Sequence, residues 1–438
     1  MKFFLKYKKV LKIVFLFIVV AFITFSYSCL CTWLIGDEVW NYGFSYNLSE
    51  GLIIYRDFNC MQTPLFFFLG SIFIKIFGNY LYSLYLLIAF LNAFIMVCFY
   101  RVMKGKAFII LPFLLIVHIP SYNFLCLLFL CFMLYLVHFQ KDNDAIMGFI
   151  IGLLFLSKQS LGIMLIAFLF FAKNKFKGLV SFLIPIILCL IYLIYHDALF
   201  EFINYCFLGL FDFGEKNGVL SIFTFLECLV LIYLVVQIVK TKFKDKELFY
   251  ILMFQIMAYP IFEIYHFLIA FIPVMYYFIK KQQSKSIIMF IALGVYSLFF
   301  SLNSSFSFTI NEKDNLFYLL RVHHLNDVLE KESEIILRYT ENYDYSFYIM
   351  VNAYLRKLYM EMPISQYDFM LNGNMGYRGE EKYIQEIDSI CQSKSCVFFV
   401  DEDMFKGKYT QFSREIYNYV IQSYSKVEES DYFNVYTN

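Results

Sequence analysis

Long apolar runs recur from residue 13 to residue 302, divided by short polar segments, and from about 303 onward no run is long enough to cross a bilayer. Threading the runs gives eleven predicted membrane spans: 13–35, 80–100, 107–119, 124–139, 145–157, 161–172, 179–195, 219–239, 248–262, 267–279 and 286–302. Several are short, and 145–157 with 161–172 can equally be read as one interrupted helix. Either way, twelve residues rising 1.5 Å each reach only ~18 Å, so the intervening Ser157-Lys158-Gln159-Ser160 turn falls below the membrane surface. The segment 64–77 is apolar but short and carries Lys75, which suits a helix lying on the outer leaflet. After 303, strand-like runs at 346–351, Cys396–Val400 and 432–436 alternate with amphipathic helical stretches at 316–339, 380–391 and 411–426. The pattern divides the chain into a membrane module, 1–302, with a first external loop at 36–79, and a small α/β domain, 303–438.

Composition agrees with that division. Of the 438 residues 61% are apolar, 22% aromatic and only 16% charged, against about 25% charged in an ordinary soluble domain, which excludes a cytosolic enzyme. The net charge of +1 excludes a nucleic-acid-binding character, but its distribution sets the orientation. Nineteen Lys/Arg fall in six clusters, at the N-terminus, 101–106, 141, 173–177, 240–246 and 280–285, whereas the polar segments on the other side hold only Arg56, Lys75, Lys158 and Lys216. The positive-inside rule puts the clusters and the N-terminus in the cytoplasm and 303–438 outside, in a plasma membrane. Apolar character persisting to Ile35 argues for an uncleaved helix rather than a signal peptide. The C-terminal domain carries 13 Lys/Arg against 21 Asp/Glu, a net of −8, which suits a neutral acceptor better than an anionic one. Most of the eleven Cys sit in apolar runs and none has metal-ligand spacing; Cys391 and Cys396 are open to either pairing or remaining as two thiols. Abundant Phe, Ile, Lys, Tyr and Asn fit an A+T-rich bacterial genome.

Three constellations carry candidate chemistry. The first external loop begins with Asp37 and Glu38 at the membrane, then presents Arg56 and Asp57 in YRDF, and then Gln62-Thr63-Pro64. Adjacent helical residues diverge by about 100°, so Asp37 and Glu38 do not converge on one reacting atom, and which of them is the base stays open. Lys158 lies in the membrane break beside Gln159 with no acidic neighbour in sequence; it either binds an anionic lipid phosphate or snorkels to the headgroups. Pro260, in YPIFEIYH, shortens or kinks its helix and delivers Glu263, Tyr265 and His266 to the outer face. His118, His138 and His196 lie at span ends without partners and read as structural. The loop 367–377 is rich in Asn, Gly and aromatics, as sugar-binding loops and plain turns both are.

In their order, these residues resemble the GT-C fold glycosyltransferases that use polyprenyl-phosphate sugars. The branches most alike are the protein mannosyltransferase-like, the aminoarabinose-transferase-like and the rhizobial lipopolysaccharide-core types. The likeness rests on 36–78, 152–162 and 259–267, and the chain departs from the family's double Pro at Thr63-Pro64. The resemblance implies a catalytic carboxylate at Asp37 with Glu38 beside it, and transfer with inversion from a polyprenyl-phosphate-linked donor to a glycan, lipid or protein acceptor. Under it Lys158, Gln159, Arg56 and His266 are expected to bind the donor phosphate, and Asp57, Gln62, Glu263 and Tyr265 the substrate. A base for the acceptor proton and an anchor for the departing phosphate are also what the chemistry requires. No P-loop or dinucleotide fingerprint is present and no cofactor is expected; no metal-ligating residue stands out, and the sequence leaves dependence on a divalent metal open. A transporter or flippase and a non-catalytic subunit with an external interaction domain are the competing readings; two related halves, expected of many transporters, are not evident in the sequence.

Overall fold

The computed structural model describes residues 2–30, 37–211, 221–259, 264–281, 290, 291, 293, 294, 326–350, 353, 356, 357, 360, 362, 368, 374–402 and 413–438. Most of the span expected at 286–302 and most of the 367–377 loop lie outside them, as do Pro260 and Glu263. Two compact units emerge. One comprises 1–41, 63–190 and 219–316; the other joins 317–438 to two excursions from the membrane module, 42–62 and 191–218.

The first unit is helical. Its elements include α1 (Lys2–Leu30), the first turn of α2 (Asp37–Ser49), α3 (Leu65–Phe77), α4 (Leu81–Met103), α5 (Leu111–Ile116), α6 (Tyr122–His138), α7 (Asp144–Phe155) and α8 (Gln159–Leu165). Beyond them come Lys175–Tyr195, which continues into the second unit at its last turn, and then Ile222–Lys240, Lys246–Phe254 and Ile264–Lys280. Four of the described helices are long and apolar enough to cross a membrane: Val10–Cys29, Leu81–Ile109, Lys175–Tyr195 and Ile222–Lys240. Of these, α4 is central. It is mostly buried and packs against α1, α3 and α6, whereas Lys175–Tyr195 and Ile222–Lys240 expose rows of Leu, Ile, Val and Phe. A helix whose apolar face points away from the protein has lipid as its solvent. The chain is a multi-pass membrane protein.

Caps and close contacts fix the ends of these helices. The Ser121 hydroxyl accepts from the Asn123 amide at the start of α6, and Ser221 and Thr224 form a capping box before Ile222–Lys240. Gly148 and Gly152, four apart on α7, face Lys175–Tyr195 so closely that a Cβ on either would stand 2.1 Å from the Gly178 carbonyl or 2.4 Å from that of Phe182. Small residues at this spacing let two membrane helices touch backbone to backbone. At the ends bearing the basic clusters, Glu247 accepts from Lys280 at 2.6 Å and from the Tyr276 hydroxyl at 3.2 Å. His138 lies 3.7 Å from the same carboxylate. His138 therefore has a partner, contrary to its reading from sequence, because Glu247 lies more than a hundred residues away along the chain.

The second unit contains a four-stranded sheet in the order β1-β2-β4-β3, built from β1 (Tyr345–Ile349), β2 (Cys396–Val400), β3 (Ser425–Glu429) and β4 (Asn434–Thr437). β1 and β2 are parallel, joined through a crossover that includes Gly379–Cys391; β4 lies antiparallel between β2 and β3. Tyr348, Val397, Phe399 and Val435 form one core face with Ile336 from Asn326–Thr340. The sequence expectation placed Ser425 and Lys426 in a helix and missed β3. Its residues SKVEE are mostly exposed on the sheet edge, so they lack the alternation that reveals a half-buried strand. Cys391 and Cys396, 5.8 Å apart at Cα, are joined as a disulfide.

Candidate functional site

The turn bearing Lys158 is sharp. α7 ends at Phe155 and α8 begins at Gln159, with Lys158 in extended conformation between them. Gly162 packs so tightly against Phe155 that a Cβ would lie 2.3 Å from the Phe155 Cα. In one continuous helix these positions would stand two turns, about 10 Å, apart, so the chain reverses here rather than continuing as an interrupted helix. The Lys158 ammonium donates to the Met257 carbonyl at 3.3 Å and lies 6.0 Å from the centre of the Tyr122 ring. It has no carboxylate partner among the described residues. Gln159 is buried beside it in the sequence, at the first position of α8.

Asp37 and Glu38 open α2, where the positive end of the helix dipole favours carboxylates. Their environments differ. Glu38 is fully buried and accepts from the Tyr85 hydroxyl of α4 at 3.4 Å, while Asp37 is only half-buried. The Asn41 amide, one turn along, donates to the Asp37 carbonyl at 2.6 Å and to the Pro120 carbonyl at 2.9 Å.

Pro120 belongs to a short connector, 118–123, of which the sequence reading singled out no residue as a site candidate. Asn41 ties it to α2, Tyr122 lies against Lys158, and the Tyr265 hydroxyl donates to the Ile119 carbonyl at 3.4 Å. His118, buried, sits edge-on to Tyr27 at 5.2 Å and braces the connector against α1. Three constellations that are more than a hundred residues apart in places thus meet on six residues of backbone. The structure brings together the neighbourhoods of Asp37, Lys158 and Tyr265, with His266 stacked edge-on to Tyr265 at 5.4 Å. The only sequence signal for the connector is weak: Pro120-Ser121 as a break and cap ahead of α6. α3 is held to the Lys158 turn as well, since its Leu65 amide donates to the Leu156 carbonyl at 2.9 Å.

Arg56, Asp57 and Gln62 lie in the second unit. Arg56 and Asp57 form a two-pronged ion pair, at 2.8 and 3.0 Å, and Asp57 also accepts from the Ile53 amide at 2.7 Å. The Arg56 guanidinium and that amide hold the Asp57 carboxyl below the usual carboxylate range. Tyr55, fully buried, adopts a φ of 72°, a conformation that costs a bulky residue about 1–3 kcal/mol. Its hydroxyl donates to the Gln62 carbonyl at 2.8 Å, so YRDF is a strained, tightly closed turn. Asn374, from the Asn- and Gly-rich loop, accepts from the Met61 amide through its side chain at 2.8 Å and from the Asn59 side chain through its carbonyl at 3.2 Å. Gly376, at φ 82°, lies so close to Asn204 that a Cβ would meet its side-chain nitrogen at 2.4 Å. Asn374 thus locks the 53–62 loop, and Gly376 packs against Asn204, within this unit. Among the described residues no group of three His, Cys, Asp or Glu is placed to hold a metal ion.

No family model matches the chain, and no curated protein matches it. Among solved structures it is similar to ArnT from Cupriavidus metallidurans bound to undecaprenyl phosphate, with a TM-score of 0.57 at 12% identity, and to the same protein in the apo state, with 0.59 at 10%. Each match covers 97% of this chain and 97% of that one. At such identities the likeness establishes the fold, which is the GT-C fold that the motifs resemble.

Proposed function

Taking the ArnT-like GT-C fold as premise, we propose that this chain transfers a sugar from a polyprenyl-phosphate-linked donor to an acceptor at the outer face of a bacterial plasma membrane, with inversion at the anomeric carbon. The observation that carries the reading is Lys158. It is a cation with no carboxylate partner among the described residues, set in a membrane break and tied through the 118–123 connector to the helix that opens with Asp37. A lone Lys near the bilayer interior costs about 2.5–3.5 kcal/mol on insertion scales, and a lipid-borne phosphate offsets that cost where a water-borne ligand has no access. Undecaprenyl phosphate titrated into the purified protein in nanodiscs should therefore bind saturably; an absence of saturable binding rejects the reading.

In this mechanism the ammonium of Lys158 holds the phosphate and stabilises the charge that grows on it as the glycosidic bond breaks. Asp37, half-buried, takes the proton of the acceptor hydroxyl as that oxygen attacks the anomeric carbon. Glu38, buried against Tyr85, fixes the start of α2. Tyr265 and His266 line the same neighbourhood and bind the substrate and the phosphate respectively, with Gln159 adding a hydrogen bond to the phosphate. Glu263, outside the described residues, is assigned to the substrate. Glycan, lipid and protein remain the classes of acceptor.

The orientation rests on the nineteen-to-four partition of basic residues, and the Cys391–Cys396 disulfide suits an oxidising compartment. A reporter fused after residue 320 should be active only outside the cytoplasm. Cytoplasmic activity there would invert the threading and remove Asp37 from the outer face.

A further inference from the structure

Three segments of the second unit converge on two buried thiols. Asn59 and Met61, which flank Cys60, are held by Asn374, and Asn204, two residues before Cys206, accepts from the Tyr377 amide at 3.0 Å. Cys60 and Cys206 thus sit where the 374–377 loop grips both excursions from the membrane module. Each is fully buried, and each is a thiol in this structure. Their sulfurs lie 3.5 Å from one and the same atom, the Gln62 carbonyl oxygen. The Cys206 sulfur is also 3.8 Å from the Cys60 carbonyl oxygen, and the Cys60 sulfur 3.3 Å from Oε1 of Gln62. An S–H group is a weak donor, so these contacts bring the two sulfurs together without tying either one down.

We infer that Cys60 and Cys206 are a modification site: in the mature protein they form a second disulfide, which staples the 53–62 loop to the 191–218 excursion. One of the two, as thiolate, attacks the disulfide of an external dithiol oxidant and releases one oxidant thiol; the other then displaces the second. Two hydrogens and two electrons pass from the pair to the oxidant, which ends as a dithiol. Burial pushes the Cys60 thiol above its usual range and makes it a poor nucleophile once folded, so the exchange precedes closure of the loop. The compartment fits, since Cys391 and Cys396 of the same unit are joined. The two cysteines stand 146 residues apart along the chain, and cross-linking restrains the unfolded chain more the longer the loop it closes. The staple also holds, next to Gln62, the end of the turn in which Tyr55 is strained. The inference is independent of the donor reading and shares with it only the outward orientation of this unit.

Cells making the full-length protein, quenched with acid and alkylated with N-ethylmaleimide under denaturing conditions without reductant, supply the material for peptide mapping by mass spectrometry. A peptide pair linked through Cys60 and Cys206 should be recovered and should vanish on reduction. If Cys60 and Cys206 carry the alkyl label while Cys391 and Cys396 remain linked, the inference falls and the orientation stands. Label on all four overturns both, and a link from Cys60 or Cys206 to any other cysteine overturns the inference. Stability gives a second readout. In nanodiscs Cys60→Ser and Cys206→Ser should each lower the melting temperature by about 5 °C or more, and the double variant should lower it no further, because the same bond is lost every time. Losses that add would assign the two residues to separate packing and contradict the disulfide.

Discussion

Asp37→Asn is expected to lower sugar transfer by about 10² to 10⁴-fold, the range for loss of a general base, while undecaprenyl phosphate still binds. The change keeps the side chain's shape and hydrogen-bonding capacity but cannot accept the acceptor's proton. Its neighbour should respond differently. Glu38 is fully buried with the Tyr85 hydroxyl at 3.4 Å, so Glu38→Gln retains an acceptor for that hydroxyl and should cost less activity than Asp37→Asn. The adjacent carboxylates are indistinguishable by residue type; burial separates them, because a base must meet a water-borne acceptor. Near wild-type turnover in Asp37→Asn, or a larger defect in Glu38→Gln, moves the base by one residue.

Lys158→Met should weaken undecaprenyl phosphate binding by about 10 to 100-fold, since a hydrogen bond to a charged group contributes roughly 1.5–3 kcal/mol. The protein should still insert and fold, because the substitution removes a charge that costs about 2.5–3.5 kcal/mol near the bilayer interior. Lys158→Arg keeps the charge and should retain part of the binding, with altered geometry. Equal affinity in wild type and Lys158→Met would leave the Met257 carbonyl and the Tyr122 ring as the whole purpose of this side chain.

Hydrophobic runs made most of the helices legible. The segment expected on the outer leaflet became α3, and the break at Ser157-Lys158 became a sharp turn. What periodicity could not show was which elements touch. The 118–123 connector gathers Asn41, Lys158 and Tyr265 through two main-chain carbonyls and one ring, and a carbonyl leaves no trace in residue type. The Gly148/Gly152 spacing acquires its meaning only from the partner helix, Lys175–Tyr195, that it lets approach. In the second unit, β1 and β2 were visible as buried runs, whereas the polar edge strand β3 was not. The 53–62 loop offered Arg56, Asp57 and Gln62 as separate candidates. Their pairing with each other and with Tyr55, whose backbone is strained, depends on a turn conformation that a Tyr-Arg-Asp triplet does not announce.

Central to the account is a single membrane-face site in which Lys158 holds a polyprenyl-phosphate donor and Asp37 performs the transfer. Analysis of membrane lipids from a strain lacking this protein tests it most directly. A sugar-bearing polyprenyl phosphate should accumulate, disappear when wild type is restored, and persist when Asp37→Asn is supplied at equal abundance. A lipid profile identical with and without the protein, or clearance by Asp37→Asn as complete as by wild type, would contradict it.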